Sequence, residues 1–275
     1  MRSEASLRRT GPKGSPVDRP VLLERQDLHI FQELLLGIVQ GLTEFFPVSS
    51  SAHLRFARYL MGLSEGPNWI YFDLSCHAGT WFALAFFLRK EIWEVLSDIR
   101  KIALYTVALL PLIPAYFLLK SIRAPEYTGY FLLITATLLF LASKKQSVSH
   151  QKKWTNVLFV GMMQGLALLP GLSRSGATIT AGRFCNWSWI DAARFSFLLA
   201  IPTILGGEML ESYKLFKGAA VEIPLRSCAV GLMSSFIVGL FAVRFVFWAY
   251  EKEIIRPFAW YCLGFGLLMI GMFHG

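Results

Sequence analysis

Long apolar blocks separated by short polar segments occupy most of this chain. A helix needs about 20 mostly apolar residues to cross a bilayer. Pro111 and Pro114 lie inside one block and predict a kink there. Six blocks reach or approach the spanning length and are predicted transmembrane helices: 69–88, 102–119, 128–142, 192–210, 225–247 and 257–273. The pattern therefore predicts an all-α polytopic membrane protein.

Two further apolar segments are interrupted. Residues 28–46 stop at Pro47 and a serine run, and residues 154–170 stop at Pro170-Gly171. A shorter apolar stretch follows each stop, so neither segment makes a comfortable span. Each is predicted to be a re-entrant hairpin of two half-helices, which is tolerated only inside protein or beside a polar cavity.

The same short pattern precedes both interruptions. Residues 37–42 read GIVQGL and residues 161–166 read GMMQGL, and a proline and a serine cluster follow each. We interpret this as an internal repeat, with repeat one at about 28–142 and repeat two at about 154–273. Each repeat is one hairpin plus three spans. Because three is odd, the second hairpin enters from the opposite face, which predicts an inverted repeat with its interruptions meeting near the midplane, where substrate sites form.

Composition agrees with lipid as the main solvent. The chain is 55% hydrophobic and 16% charged, whereas soluble domains carry roughly 25% charged residues. The net charge of +9 comes from Lys and Arg concentrated in short loops, notably 89–101 and 143–153. This is the positive-inside pattern of cytoplasmic loops, so binding to nucleic acid is not expected. The four cysteines are scattered, which favours apolar packing over a metal site.

The chain begins with a polar segment. Residues 1–27 lack the apolar core of a signal peptide. We expect a flexible polar N-terminal extension there, followed by a single membrane domain over residues 28–275. With the basic loops in the cytoplasm, the first hairpin opens to the outside. That places the basic extension outside as well, against the positive-inside rule.

The first interruption combines hydroxyls with an imidazole. A helix that restarts after Pro47 exposes backbone N–H groups, which serine hydroxyls cap and which attract phosphate. His53 lies within one turn of Ser49 and Ser50, a spacing that suits a base or proton donor beside a hydroxyl nucleophile. A plain N-cap beside a buried histidine is the alternative interpretation.

The second interruption supplies a guanidinium. Arg174 lies between Ser173 and Ser175, shortly after Gly171. Ionisable residues inside apolar segments are functional candidates by default, and the planar donors of arginine match phosphate oxygens. A purely structural Arg174–Glu44 ion pair is the alternative.

At these motifs the sequence resembles the bacterial undecaprenyl-diphosphate phosphatases, the bacitracin-resistance family, from about residue 28 to the C-terminus. The family pattern (Glu/Gln)xxxE followed by PxSSxxH matches residues 40–53, and the pattern PGxSRSxAT matches residues 170–178. The resemblance implies hydrolysis of undecaprenyl diphosphate to the monophosphate, which recycles the lipid carrier for wall synthesis and causes bacitracin resistance when overproduced. It also implies interdigitated inverted repeats, dependence on a divalent cation, and a site open to the outer face of the bacterial cytoplasmic membrane.

Carried over to this chain, the resemblance implies that Ser50 is the nucleophile and that His53 activates it or protonates the leaving group. A direct histidine nucleophile stays open. Glu44 would orient His53 or bind the metal, and Arg174 would stabilise transition-state charge. The remaining predicted substrate-binding residues are Ser49, Ser51, Ser173, Ser175 and Thr178.

A cation site is predicted at Gln40 and Glu44, which lie four residues apart on one helix face. Mg²⁺ or Ca²⁺ suits carboxylate, amide and phosphate ligands. One carboxylate makes a poor protein-only site, so the diphosphate would supply most ligands. Many family members carry glutamate where this chain has Gln40, which leaves Glu44 the larger share of the role.

The expected partners are a polyprenyl diphosphate lipid and the membrane, with a homodimer as one option for the assembly. The main rival function is a transporter or flippase, because inverted repeats with broken helices are typical of transporters. A phosphatase of the phosphatidic-acid-phosphatase superfamily is disfavoured, because its SRxxxxxHxxxD pattern requires a histidine where this chain has Thr180.

Overall fold

The computed structural model describes residues 29–63, 69–145, 152–217 and 225–274, and these ranges contain helices and no strand. The predicted extension at 1–27 lies outside them. The α-helices in these ranges are α1 Ile30–Thr43, α2 Ser50–Leu60, α3 Ile70–Phe87, α4 Arg89–Leu96, α5 Ile99–Leu109, α6 Leu112–Leu118, α7 Thr128–Ser143, α8 Trp154–Leu166, α9 Arg174–Phe184, α10 Trp189–Lys217, α11 Leu225–Glu251 and α12 Arg256–His274.

Within the described ranges, five helical segments are long and apolar enough to cross a membrane: Ile99–Leu118, Pro125–Ser143, Trp189–Lys214, Leu225–Glu251 and Arg256–Phe273. They confirm a polytopic membrane protein and five of the six predicted spans. The first is divided into α5 and α6 at Leu110-Pro111, as its prolines predict. The sixth predicted span, 69–88, corresponds to α3. This helix has 18 residues but contains Asp73 and His77, and it is not among the five segments that are long and apolar enough to cross a membrane.

One segment expected to be a loop is helical. Residues 89–101 contain α4 and the first turn of α5. No side chain of α4 is buried, and Trp93 and Leu96 are exposed. A short helix with charged residues on one side and large apolar residues on the other suits the membrane–water interface. This loop prediction was therefore too simple, although its basic residues keep their positions in the chain.

The interrupted segments form two pairs of short helices. α1 packs against α2, and α8 packs against α9. α1 is the longest of the four, with 14 residues, and at 1.5 Å per residue it measures only about 21 Å. None of the four therefore reaches across a hydrocarbon core of about 30 Å.

Glycines of the repeated GxxQGL pattern bring the two halves of the chain together. α1 packs on α11, and a Cβ at Gly37 would collide with Ser234. α8 packs on α5 and α6, and a Cβ at Gly161, the equivalent residue, would collide with the backbone of Ala108. Small residues allow such close approach between helices in membranes. Each interrupted pair therefore contacts spans of the other half.

Candidate active site

The two interruptions meet at one polar cavity of about 250 Å³. The turn after α1 and the start of α2 form one side of it, and the turn before α9 and the start of α9 form the other. The predicted site residues that line the cavity are Glu44, Ser49, Ser50, Ser51, Ser173, Arg174 and Ser175. Residues about 130 positions apart in the chain therefore share one chamber, as the repeat predicts.

Arg174 and Glu44 join the two sides. The guanidinium Nη2 of Arg174 donates to Glu44 Oε1 in a charge-assisted contact. The ion pair named above as the structural alternative is therefore present. It does not satisfy the whole guanidinium, because the buried Nη1 of Arg174 has no hydrogen-bond partner among the described residues. An unsatisfied donor at a cavity wall is expensive unless a ligand accepts its hydrogen bond.

Ser50 lies beside the same carboxylate. Its Oγ donates to Glu44 Oε2 over 2.8 Å. Ser51 is exposed and its Oγ lies 3.2 Å from Ser49 Oγ, away from the carboxylate. Ser49 has a φ of 68°, a left-handed conformation that costs a non-glycine residue roughly 1–3 kcal/mol and is concentrated at functional sites. Of the three serines, Ser50 alone has a carboxylate in place to accept its proton.

The start of α9 forms the opposite wall. Ser173 is the N-cap, and its Oγ accepts from Gly176 N over 3.1 Å. Ser175 Oγ donates to Phe46 O, 3.1 Å away, and so ties α9 to the first interruption. Gly171 has a φ of 98° and packs against the backbone of Thr128 with no room for a Cβ. This turn aims the N-terminus of α9, a favourable position for an anion, at the cavity.

His53 lies elsewhere. Its Nδ1 donates to Ser49 O over 2.8 Å, its Nε2 accepts from the Tyr261 hydroxyl over 2.7 Å, and its ring stacks on Phe265. Within the described part of the chain it is not among the residues that line the cavity. The sequence predicted an imidazole beside the Ser50 hydroxyl, and the structure does not have this arrangement. Both ring nitrogens of His53 instead have hydrogen-bond partners, one in the residue before α2 and one in α12.

Thr178 is also outside the cavity. Its Oγ1 donates to Arg174 O over 2.8 Å and lies 2.5 Å from Ser196 Oγ. Threonine readily bonds to the carbonyl four residues before it in a helix. In this arrangement Thr178 supports the turn that carries Arg174, and its direct contact with substrate stays a prediction.

Two further ionisable residues of the cavity were missed in the sequence. His77 of α3 and Glu208 of α10 both line it. His77 Nδ1 lies 3.0 Å from Gln40 Nε2 and 3.8 Å from Glu44 Oε2. Their signal was present, because each is an ionisable residue inside an apolar segment. Asp73, another ionisable residue of α3, instead pairs with Arg58.

Gln40 is completely buried beside this cluster. Its Nε2 donates to Glu44 Oε2 over 3.0 Å, and its Oε1 has no partner in the part of the chain described. The two ends of an amide are assigned from their surroundings, and the opposite orientation places an oxygen between Glu44 and His77. Gln40 does not line the cavity, and among the residues that the structure describes no group of three or more His, Cys, Asp or Glu side chains is placed to hold a metal ion by itself. A cation at Glu44 and Gln40 would therefore need most of its ligands from the substrate phosphates.

Comparisons with known proteins are consistent along the whole membrane domain. The family model for Bacitracin resistance protein BacA matches residues 33–268. An undecaprenyl-diphosphatase of Protochlamydia amoebophila is 38% identical over 248 residues, which cover 86% of this chain and 96% of the relative. Undecaprenyl-diphosphatases of Desulfosudis oleivorans and Bacteroides fragilis are 36% and 35% identical, covering 88% and 87% of this chain and 98% and 97% of their own lengths.

Proposed function

Because this chain belongs to the bacitracin resistance protein BacA family, we propose that it hydrolyses undecaprenyl diphosphate to undecaprenyl phosphate and inorganic phosphate. The reaction recycles the lipid carrier for cell-wall synthesis. The observation that carries the proposal is the meeting of Ser50, Glu44 and Arg174 at one cavity. Transfer of a phosphoryl group requires a nucleophilic hydroxyl, a group that accepts its proton, and a positive charge that can donate hydrogen bonds to the phosphoryl oxygens.

Ser50 is the proposed nucleophile. Its Oγ attacks the terminal phosphorus, and the bond from that phosphorus to the bridging oxygen breaks. Glu44, 2.8 Å away, takes the hydroxyl proton and passes it to the departing undecaprenyl phosphate. In the second half, Glu44 takes a proton from water as the water attacks the phosphoserine. The proton returns to Ser50 Oγ as the P–Oγ bond breaks and inorganic phosphate leaves.

Arg174 stabilises the charge of the transferred group. Its Nη2 is held by Glu44, which fixes the guanidinium in place, and its unpartnered Nη1 is available to a phosphoryl oxygen. Ser173 and Ser175 add hydroxyls at the start of α9. Donors held in position before the reaction lower its barrier because they need no reorganisation.

His53 and Thr178 have positioning roles in this mechanism. His53 holds the carbonyl of Ser49, the residue before the nucleophile, over 2.8 Å. Thr178 holds the carbonyl of Arg174 over 2.8 Å. Each therefore fixes the backbone of a reacting or binding residue. Ser49 and Ser51 remain proposed contacts to the phosphate, because both line the cavity.

A divalent cation, Mg²⁺ or Ca²⁺, completes the proposed site. Glu44 and the amide oxygen of Gln40 would hold it, and the diphosphate would supply most of its ligands, because no group of three or more His, Cys, Asp or Glu side chains in the described ranges could hold a metal ion alone. When bound, the cation neutralises charge on the phosphates and polarises them.

The two halves are proposed to be inverted repeats within one membrane domain, 28–275, of the bacterial cytoplasmic membrane. The short lengths of α1, α2, α8 and α9 support re-entrant hairpins. The packing of α1 on α11, matched by that of α8 on α5 and α6, supports interdigitated repeats. The cavity would open to the outside, and a homodimer remains the proposed option for the assembly.

The test is release of inorganic phosphate by purified protein in detergent, without a membrane gradient. Undecaprenyl diphosphate should yield phosphate, and a chelator should reduce the rate until Mg²⁺ or Ca²⁺ is restored. A transporter that uses the same cavity would bind the lipid but release no phosphate. Folded protein without turnover would therefore overturn the proposal in favour of transport.

A further inference from the structure

A second groove lies next to the polar cavity. It has a volume of about 430 Å³ and runs along α3 between α10 and α11. Its floor extends from Tyr71 to Phe82 of α3, which is about 16 Å along a helix axis. The lining is mostly apolar and includes Leu74, Ala78 and Leu232.

The groove and the polar cavity are adjacent. Glu208 of α10 lines both, and His77 of the cavity is next in sequence to Ala78 of the groove. Trp81 Nε1 donates to Ile201 O over 3.0 Å, which fastens α3 to α10 beside the groove. A molecule with an anionic end in the cavity and an apolar chain would therefore have an apolar surface for that chain directly beside the cavity.

We propose that this groove binds the first isoprenoid units of the polyprenyl chain while the diphosphate occupies the polar cavity. The inference rests on the proposed function, because it assigns a place to the other half of the same substrate. The occupant follows from this adjacency: a lipid diphosphate joins an anionic headgroup, which suits the serines and Arg174 of the cavity, to a long apolar chain, which suits the lining of the groove.

The groove is expected to raise the reaction rate by orienting the lipid, and to add little hydrophobic binding energy. Lipid tails are as apolar as leucine, so a chain gains little hydrophobic free energy on leaving the bilayer for the groove. A fixed chain instead limits the positions of the terminal phosphorus near Ser50. Misplacement of a reacting group by about 1 Å can cost roughly a hundredfold in rate.

Blocking the groove tests the assignment. Ala78→Trp and Ser212→Trp fill it from the floor and from the α10 wall, and neither residue lines the polar cavity. The matched control is Ala229→Trp, at an exposed position of α11 that does not line the groove. Each protein is assayed for phosphate release from undecaprenyl diphosphate and from methyl diphosphate, a water-soluble ester that has no isoprenoid unit.

The groove variants should lose about tenfold to a hundredfold in kcat/KM for the long-chain lipid. Their kcat/KM for methyl diphosphate, which does not enter the groove, should remain near the wild-type value, and the control should resemble wild type with both substrates. Equal turnover of the long chain by wild type and both groove variants would overturn the groove. Failure of wild type to hydrolyse either substrate would instead overturn the proposed function.

A labelling experiment covers variants that fail to fold. A prenyl diphosphate with a photoreactive group on its second isoprene unit is crosslinked to wild-type protein, and the modified peptide is identified by mass spectrometry. Labels on α3 between Tyr71 and Phe82, or on the facing residues of α10 and α11, support the groove. Labels confined to other helices contradict it.

Discussion

The ion pair between Arg174 and Glu44 has two interpretations that make different predictions. In the structural interpretation the pair only neutralises two buried charges. In the catalytic interpretation Arg174 also binds the phosphoryl group through Nη1, which has no partner within the described ranges. The informative perturbation is Arg174→Gln, alone and combined with Glu44→Gln.

The expected magnitudes follow from the contacts. A hydrogen bond to a charged group contributes about 1.5–3 kcal/mol. Nη1 carries two N–H groups. Loss of the two bonds that they can donate to the phosphoryl group therefore costs roughly 3–6 kcal/mol, or about 10² to 10⁴ in kcat/KM. Loss of one partner from a buried ion pair also destabilises the fold by roughly 3–5 kcal/mol, and the side chain of Glu44 is only 6% exposed.

The assay combines phosphate release with thermal unfolding of the detergent-purified proteins. Arg174→Gln should lower both turnover and stability. The double variant carries neither charge, so it should recover most of the stability but none of the turnover. A structural pair predicts that turnover returns together with stability in the double variant, and that result would refute the catalytic interpretation.

A second ion pair provides the control. Arg58 contacts Asp73, and neither residue lines the cavity. Arg58→Gln should lower the unfolding temperature while turnover at saturating lipid stays near the wild-type value. A loss of turnover equal to that of Arg174→Gln would mean that the assay reports general damage to the membrane domain.

Three further predictions concern single side chains. Ser50→Ala should lose at least about a thousandfold in kcat, as expected for a nucleophile, whereas the exposed Ser51→Ala should change it by about twofold; the reverse order, measured by phosphate release, would reassign the nucleophile. His53→Gln should lower kcat without moving the pH at which turnover is half-maximal, because His53 holds Ser49 O and is not the base. If the variant instead loses one limb of the pH profile, His53 is the base. Gly161→Leu should prevent close packing of α8 on α5 and lower the unfolding temperature strongly, whereas an unchanged unfolding temperature would exclude that packing role.

The sequence predicted the cavity because its two halves carry the same interruption. Pro47 and Pro170 stop two apolar segments, and the polar residues behind them have few places to be buried in lipid other than against each other. This reasoning placed Glu44 and Arg174 in one chamber, where the structure has them in contact. The repeated glycines were noticed as a pattern, but their role in packing the halves together required the structure.

Side-chain direction was the part that spacing could not predict. Ser50 and His53 lie within one turn of α2, yet Ser50 faces Glu44 whereas His53 turns toward Tyr261. Side chains in a helix lean over the preceding turn, and His53 accordingly reaches Ser49 O, four residues back. Partners from α12, about 200 residues away, decided which face His53 occupies.

His77 and Glu208 were missed for a related reason. Each is an ionisable residue in a mostly apolar helix, without a serine cluster or a proline directly beside it. Only the packing of α3 and α10 around the interruptions brings them to the cavity. Arg58 and Asp73 show why intramembrane charge alone is insufficient, because those two satisfy each other away from the site.

The central claim is that Ser50 from one interruption and Arg174 from the other act on the same phosphoryl group. The most direct measurement is rapid acid quenching during hydrolysis of lipid labelled in its terminal phosphate, followed by peptide mass spectrometry. The account predicts transient phosphate on Ser50 in wild type and almost none in Arg174→Gln. Turnover with phosphate on another residue, or equal labelling of Ser50 without the Arg174 guanidinium, would contradict it.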